Sequence, residues 1–285
     1  LSYRGGFLTK YVYISLVGTS ILRNIGNQLE GWRNKYQDIS SWHNMRLDDP
    51  RNIHPQGLLC RLKDLEPSLF NEMINKTLEM GEKASAEATG IVKMSSLLTH
   101  HRRETEVVLY PTSSCSSILS AELNETLLKQ LGYGVVRVKV LEKLGRFESF
   151  EDGLVELLDE VTSEIDRASS KDTPVYINAS PGFKAESSFL VIASLLAGAK
   201  GVVYIHETFH EPIFIPAIPI SIDEDFVKKV KSLEDRIPLE AWGSIEPDLR
   251  RELFDRGIVK HVEGYYAVRP WIRSLIEKLE ASKSK

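Results

Sequence analysis

Cysteine is scarce: Cys60 and Cys115 are the only two in 285 residues, far apart and at no metal-ligand spacing. That excludes a disulfide-stapled miniprotein, and both are expected to be reduced, with no disulfide between them. Long apolar runs are missing too. No stretch reaches the roughly 18 residues of a membrane span, and Leu1 to Lys10 lacks the apolar core of a signal peptide, so the expected location is cytoplasmic, with no membrane partner. Charge of one sign is weak. A net charge of -4 and a pI near 6.0 give no global positive field for long nucleic acids, which are not expected partners, so any anion site must be local. Internal repeats and low-complexity tracts are absent as well. What remains is 42% hydrophobic and 27% charged residues with 12 prolines spread along the chain, the composition of a folded protein with one large domain or two smaller ones.

The first strong element is YVYISLVGTS, residues 11–20, a β-branched and aromatic run ending in Gly-Thr-Ser before the helix-compatible ILRNIGNQLEGW. Residues 48–56 carry two prolines and read as a loop; residues 65–98 read as helical with a break near Gly90. EVVLY at 106–110 repeats the strand, polar loop, helix order. Residues 134–140 and 174–177 are further strands, and 150–168 is an amphipathic helix. ESSFLVIASLLAGA, 186–199, is apolar over helix length and reads as a buried helix before the strand GVVYI. After EPIFIPAIPI the pattern changes to helices at 224–234 and 246–255, a hairpin around Glu263-Gly264 and a last helix at 271–281. This predicts an α/β domain over 1–220 and a small winged-helix-like unit over 221–285, with packing or dimerisation as its role.

Three loops follow strands, where open α/β sheets bind ligands. In Gly18-Thr19-Ser20, with Arg23 and Asn24 one turn on, small residues allow close backbone approach, hydroxyls can donate and a helix start favours an anion; an ordinary N-cap by Thr19 or Ser20 explains the same residues. It is not a phosphate loop of the GxxxxGK kind. In Asn178-Ala179-Ser180-Pro181-Gly182-Phe183-Lys184, Asn178 and Ser180 can orient the loop, Gly182 permits a tight turn, and Lys184 places positive charge where a helix start disfavours it. A bound phosphate would account for that lysine; a solvent-facing side chain is the alternative. The 111–117 loop, with Thr112 and Ser113, either lines the same crevice or is a capped turn, and Cys115 has no neighbouring base to make it a nucleophile.

His206-Glu207-Thr208-Phe209-His210 fits HExxH, but a strand enters it and Pro212 follows, whereas zinc chemistry needs one helical turn. Glu207 is instead a candidate to face the crevice, and no metal site is expected. Arg256 and His261 have a spacing seen in helical ribonucleases but straddle a helix end and a strand. From 221 to 285 basic and acidic side chains balance, and Arg250, Arg251 and Arg256 alternate with Glu246, Asp248, Glu252 and Asp255, leaving no phosphate-facing stripe for DNA.

VGTSILRN at 17–24, YINASPGFKAE at 176–186 and VVYIHE at 202–207 together resemble the CRISPR-associated Rossmann-fold (CARF) family, especially archaeal standalone ring nucleases with a C-terminal winged-helix-like domain. The 178–184 loop is similar to that family's Asn-x-Thr-Gly-Gly-x-Lys pattern, with Ser180 in the threonine place and Pro181 replacing the first glycine. The resemblance implies a Rossmann-like domain that dimerises and binds cyclic tetra-adenylate, the second messenger of type III CRISPR systems, in its central crevice. It implies cleavage without metal or cofactor to linear diadenylates bearing 2′,3′-cyclic phosphates. Lys184 and Ser20 are then catalytic; Gly18, Thr19, Arg23, Asn24, Thr112, Ser113, Asn178, Ser180, Gly182, Phe183 and Glu207 are substrate contacts. A noncatalytic cyclic-oligoadenylate sensor or transcription regulator is the alternative. A nicotinamide dehydrogenase is disfavoured because the first turn lacks GxGxxG.

Overall fold

Val12, Ile14 and Leu16 of β1 (Tyr11–Val17) are buried on one face, and Tyr13 and Val17 on the other. Two-sided burial of this kind requires helices on both faces of a mostly parallel sheet. The computed structural model describes residues 9–145, 148–206, 211–218 and 220–283. After β1 come α1 (Ser20–Gly26), several 3-10 turns, α2 (Leu62–Leu65), α3 (Pro67–Met80) and α4 (Ala86–Leu97). Strands and helices then alternate: β2 (Thr105–Pro111), α5 (Cys115–Gln130), β3 (Val135–Val138), α6 (Phe150–Ser169), β4 (Val175–Asn178), α7 (Lys184–Leu196) and β5 (Gly201–Ile205), followed by β6 (Pro212–Pro216).

The sheet order is β3-β2-β1-β4-β5-β6, with β6 antiparallel to β5 and the other pairs parallel. The chain lays β2 and β3 on one side of β1, then returns to lay β4 and β5 on the other. Loops after β1 and β4 therefore diverge at the carboxyl edge, which leaves a crevice there. α6 and α7 cover one face through Leu157, Val161, Ile165 and Leu190, while α4 and α5 cover the other through Ile91, Met94, Ala121 and Leu128.

Several expectations need correction. The helical break falls at residues 81–85, not at Gly90, because Ser85 caps α4 by accepting the Ala88 N–H at 2.9 Å. Gly90 lies inside α4 for a packing reason: a Cβ there would sit 2.3 Å from Asn178 Oδ1. α7 is buried only along Glu186, Leu190, Ala193 and Ser194, and Ile192 is exposed, so its continuous apolarity does not mean burial all round. The proline-punctuated run after residue 210 contains β6, an edge strand, where missing N–H groups are tolerated.

The two cysteines are also not free. Cys60 and Cys115 form a disulfide with a Cα separation of 4.7 Å. Packing of Leu59 and Leu62 against Leu119 brings the 3-10 turn at Leu58–Arg61 onto the start of α5. A 55-residue separation in sequence hid that proximity. Closing a loop of that length restricts the unfolded chain, so reduction is expected to cost about 2–4 kcal/mol. Urea unfolding with and without reductant checks this, and coincident midpoints would contradict it.

The C-terminal stretch comprises α8 (Glu224–Lys231), β7 (Arg236–Pro238), α9 (Leu239–Ser244), α10 (Pro247–Asp255), β8 (Val259–Val262), β9 (Tyr265–Val268) and α11 (Pro270–Lys283). β7 and α9 are too short to have stood out in the sequence. The three strands pair in the order β7-β9-β8, and Gly264 turns the β8–β9 hairpin at a φ of 83°. Val230, Ile237, Trp242, Leu253, Val259 and Val268 share a small core. α11 docks this unit on α6 and α7: Leu275 packs with Leu158 and Ala193, Trp271 meets Phe189 edge-on at 5.4 Å, and Glu151 pairs with Lys260 and Arg269. Among the described residues, no helix is long and apolar enough to cross a membrane.

Candidate functional site

A crevice of about 540 Å³ opens at the carboxyl edge of the sheet, between the loops that follow β1 and β4. Gly18, Thr19, Ser20 and Arg23 line one side, and Ser180, Gly182 and Phe183 the other, with Thr112 also present. The hydroxyls of the first loop point inward. Thr19 Oγ1 donates to the His43 carbonyl at 2.8 Å, so Thr19 stands at the N-cap of α1 without capping it. Ser20 Oγ donates to Glu87 Oε2 at 3.2 Å and accepts from the Ala86 N–H at 3.0 Å. The Gly18 N–H donates to Glu87 Oε1 at 2.7 Å. A serine hydroxyl has one proton and two lone pairs. Ser20 therefore keeps one lone pair for a ligand hydroxyl, rather than a proton for a ligand phosphate.

Glu87 went unnoticed in the sequence. Sixty-seven residues separate it from Ser20, and its visible signal was the Ser85 cap that places an acid in the first turn of α4. It is fully buried. Burial pushes its carboxyl above the usual range, opposed by hydrogen bonds from Gly18 and Ser20 among others.

Asn178, at the end of β4, is also fully buried. Its Nδ2 donates to Ser15 Oγ at 3.1 Å and to the Glu87 carbonyl at 3.4 Å, and its Oδ1 accepts the Ser180 N–H at 3.3 Å. Ser180 Oγ in turn accepts the Ile205 N–H at 3.0 Å. Both side chains thus orient the loop, and Asn178 does not reach the crevice. Gly182 adopts a φ of 93°, which favours glycine. Phe183 is exposed, as is Lys184, the first residue of α7. Lys184 stands beside the Phe183 rim rather than in the crevice lining of a single chain.

Ser114 caps α5 by accepting the Ser117 N–H at 3.3 Å, and Ser117 Oγ donates to the Val17 carbonyl at 3.0 Å. This loop is thus a capped turn that also borders the crevice. Ser113 faces an adjoining cavity of about 640 Å³, shared with Arg46 and His54. Asn24 turns away, donating to the Ala84 carbonyl at 3.0 Å. Glu207, with Thr208, Phe209 and His210 of HExxH, lies outside the described residues. Among those described, no group of three or more His, Cys, Asp or Glu side chains is arranged to hold a metal. Arg23 brings an exposed positive charge with no ion-pair partner among the described residues, whereas Arg46 pairs with Asp48 at 2.8 Å.

Glu186 is a second buried carboxyl in the lining, at the third position of α7, where the Phe183 N–H reaches back to it. Burial raises it from 4.5 to about 7, against that single hydrogen bond. An unfolded glutamate loses its proton near 4.5 while the folded one holds it, so stability falls as pH rises from about 4.5 to about 7 and is level above. Glu186→Gln is expected to remove this loss. Relative to wild type it gains on the order of 3 kcal/mol between pH 4 and pH 8. Urea midpoints at both pH values measure it, and the same difference at each would contradict it.

Residues 82–218 match the family described as CRISPR-associated protein (Cas_APE2256). The match supports membership of a CRISPR-associated family over those residues. It takes in Glu87, the 111–117 loop and the 178–184 loop, and leaves out Gly18 to Ser20 and the stretch from α8 onward. The crevice lining is thus divided between matched residues, such as Glu87 and Gly182, and unmatched ones, such as Ser20 and Arg23.

Proposed function

We propose that two copies of this chain bind cyclic tetra-adenylate between their crevices and open the ring, switching off type III CRISPR signalling. The observation that carries this reading is the meeting of the Ser20 loop and the Ser180-to-Phe183 loop across one crevice, in a chain with a CRISPR-associated match. In this reading residues 1–220 form a CARF domain. Residues 221–285 form a winged-helix-like domain that serves packing, in keeping with the α11 contacts to α6 and α7.

The nucleophile is the substrate's own ribose 2′-hydroxyl, which attacks the adjacent 3′-phosphate and expels the 5′-oxygen. Two such cuts yield two linear diadenylates with 2′,3′-cyclic phosphates and consume no water. Ser20 accepts the 2′-hydroxyl and fixes its direction, which lowers the entropy barrier of an in-line attack. Lys184 supplies charge to the phosphorane-like transition state. A two-fold dimer brings two copies of each residue to a ligand of compatible symmetry. Exposed Phe183 at the rim, and Ile213 and Ile215 on β6, give a second copy apolar surface to cover.

Analytical ultracentrifugation with cyclic tetra-adenylate tests the binding part. One ring per two chains is expected; a monomer that takes up no ring at high concentration would overturn it.

A further inference from the structure

We propose that Glu87 is the proton acceptor for ring opening, reached through the Ser20 hydroxyl. This rests on the ring-opening reading of the crevice and adds the base that reading lacks. The geometry carries it. Ser20 Oγ already donates a hydrogen bond to Glu87 Oε2 at 3.2 Å and has one lone pair free, while the Gly18 N–H holds the other carboxyl oxygen at 2.7 Å. A ribose 2′-hydroxyl donating to that lone pair completes a two-step path for the proton.

As O2′ bonds to phosphorus, its proton passes to Ser20 Oγ, and the serine's own proton passes to Glu87 Oε2. The bond from phosphorus to O5′ breaks, and O5′ takes a proton from solvent water. Glu87 then returns its proton to solvent, and the site is reset.

Glu87 is suited to this because it is buried and, among the described residues, no cation pairs with it. The charged and titratable side chains lining the crevice are Arg23 on α1, His43 and Arg46 on the segment after it, and Glu186 on α7. Among the described residues none forms an ion pair or hydrogen bond with the Glu87 carboxyl. α5 and the loop after β4 present only the hydroxyls of Ser116, Ser117 and Ser180. Desolvation therefore acts on this carboxyl unopposed by ion pairing and favours the form that holds a proton. Such a group is a better acceptor than a surface glutamate.

Single-turnover cleavage of cyclic tetra-adenylate across pH tests the proposal. Wild type is expected to show a rate that climbs with pH and then levels. Glu87→Gln keeps the size of the side chain but cannot take a proton. It is expected to cut the plateau rate about 10²–10³-fold and to abolish the climb, with ring affinity within about threefold of wild type. A rate within about threefold of wild type would overturn the proposal. Glu186→Gln separates the two buried carboxyls: the climb should persist in it, and its loss there with retention in Glu87→Gln would equally overturn the assignment. Should Glu87→Gln fail to fold, Glu87→Asp is expected to keep the climb at reduced rate, and a flat profile in that variant contradicts the role. If wild type leaves the ring intact, the ring-opening reading itself falls and this step with it; cleavage by wild type with an indifferent Glu87→Gln removes only this step.

Discussion

Ser20→Ala is expected to slow ring opening by about 10²–10³-fold, as much as Glu87→Gln. The substitution removes the acceptor for the ribose hydroxyl and breaks the path to Glu87 in one step. It also strands the Ala86 N–H, which now donates to Ser20 Oγ at 3.0 Å, and that loss costs about 1–3 kcal/mol of stability. A fold that survives with its ring affinity while cleavage collapses is the expected pattern. Rapid-quench kinetics at saturating enzyme measures it, and a rate close to wild type would remove Ser20 from the mechanism.

The second large effect lies away from the crevice. Glu164 on α6 accepts Arg137 at 2.7 Å, Arg167 at 2.7 Å and Lys139 at 2.7 Å, while Glu106 on β2 shares both arginines. Burial alone would push the Glu164 carboxyl up, but the three cationic donors outweigh it and hold it at about 2. Its contribution is complete above the unfolded value of 4.5 and is lost as pH falls through about 2. Glu164→Ala leaves three cations to Glu106 and Glu160. Removing one partner of a buried pair costs about 3–5 kcal/mol, and the lower end applies because the arginine side chains are 32% and 35% exposed and water can reach them. Urea unfolding at pH 7 tests this; a loss under about 1 kcal/mol would show the cluster to be solvated rather than structural.

The strands were legible because two-sided burial writes itself as contiguous β-branched runs: YVYIS, EVVLY and GVVYI each became a strand of the main sheet. α6 was legible because its buried positions, such as Leu154, Leu157, Leu158, Val161 and Ile165, recur at helical spacing. Neighbours distant in sequence were not legible. Cys60 meets Cys115, and Glu87 meets Gly18 and Ser20, only once α3, α4 and α5 have packed. α7 misled for another reason, since an apolar run reports which residues can be buried and not what covers them; Ile192 stays 59% exposed. In the crevice the types of residue were readable, but their direction was not. Thr19 and Ser20 look like donors to a ligand in sequence and prove to be donors to His43 and Glu87 in the fold.

The most direct test of the central claim is the mass of what remains after the protein is incubated with cyclic tetra-adenylate in EDTA. Transesterification predicts a product of half the ring mass, a diadenylate ending in a 2′,3′-cyclic phosphate, with no water added. An intact ring at high protein concentration would contradict cleavage and leave a binding module in its place.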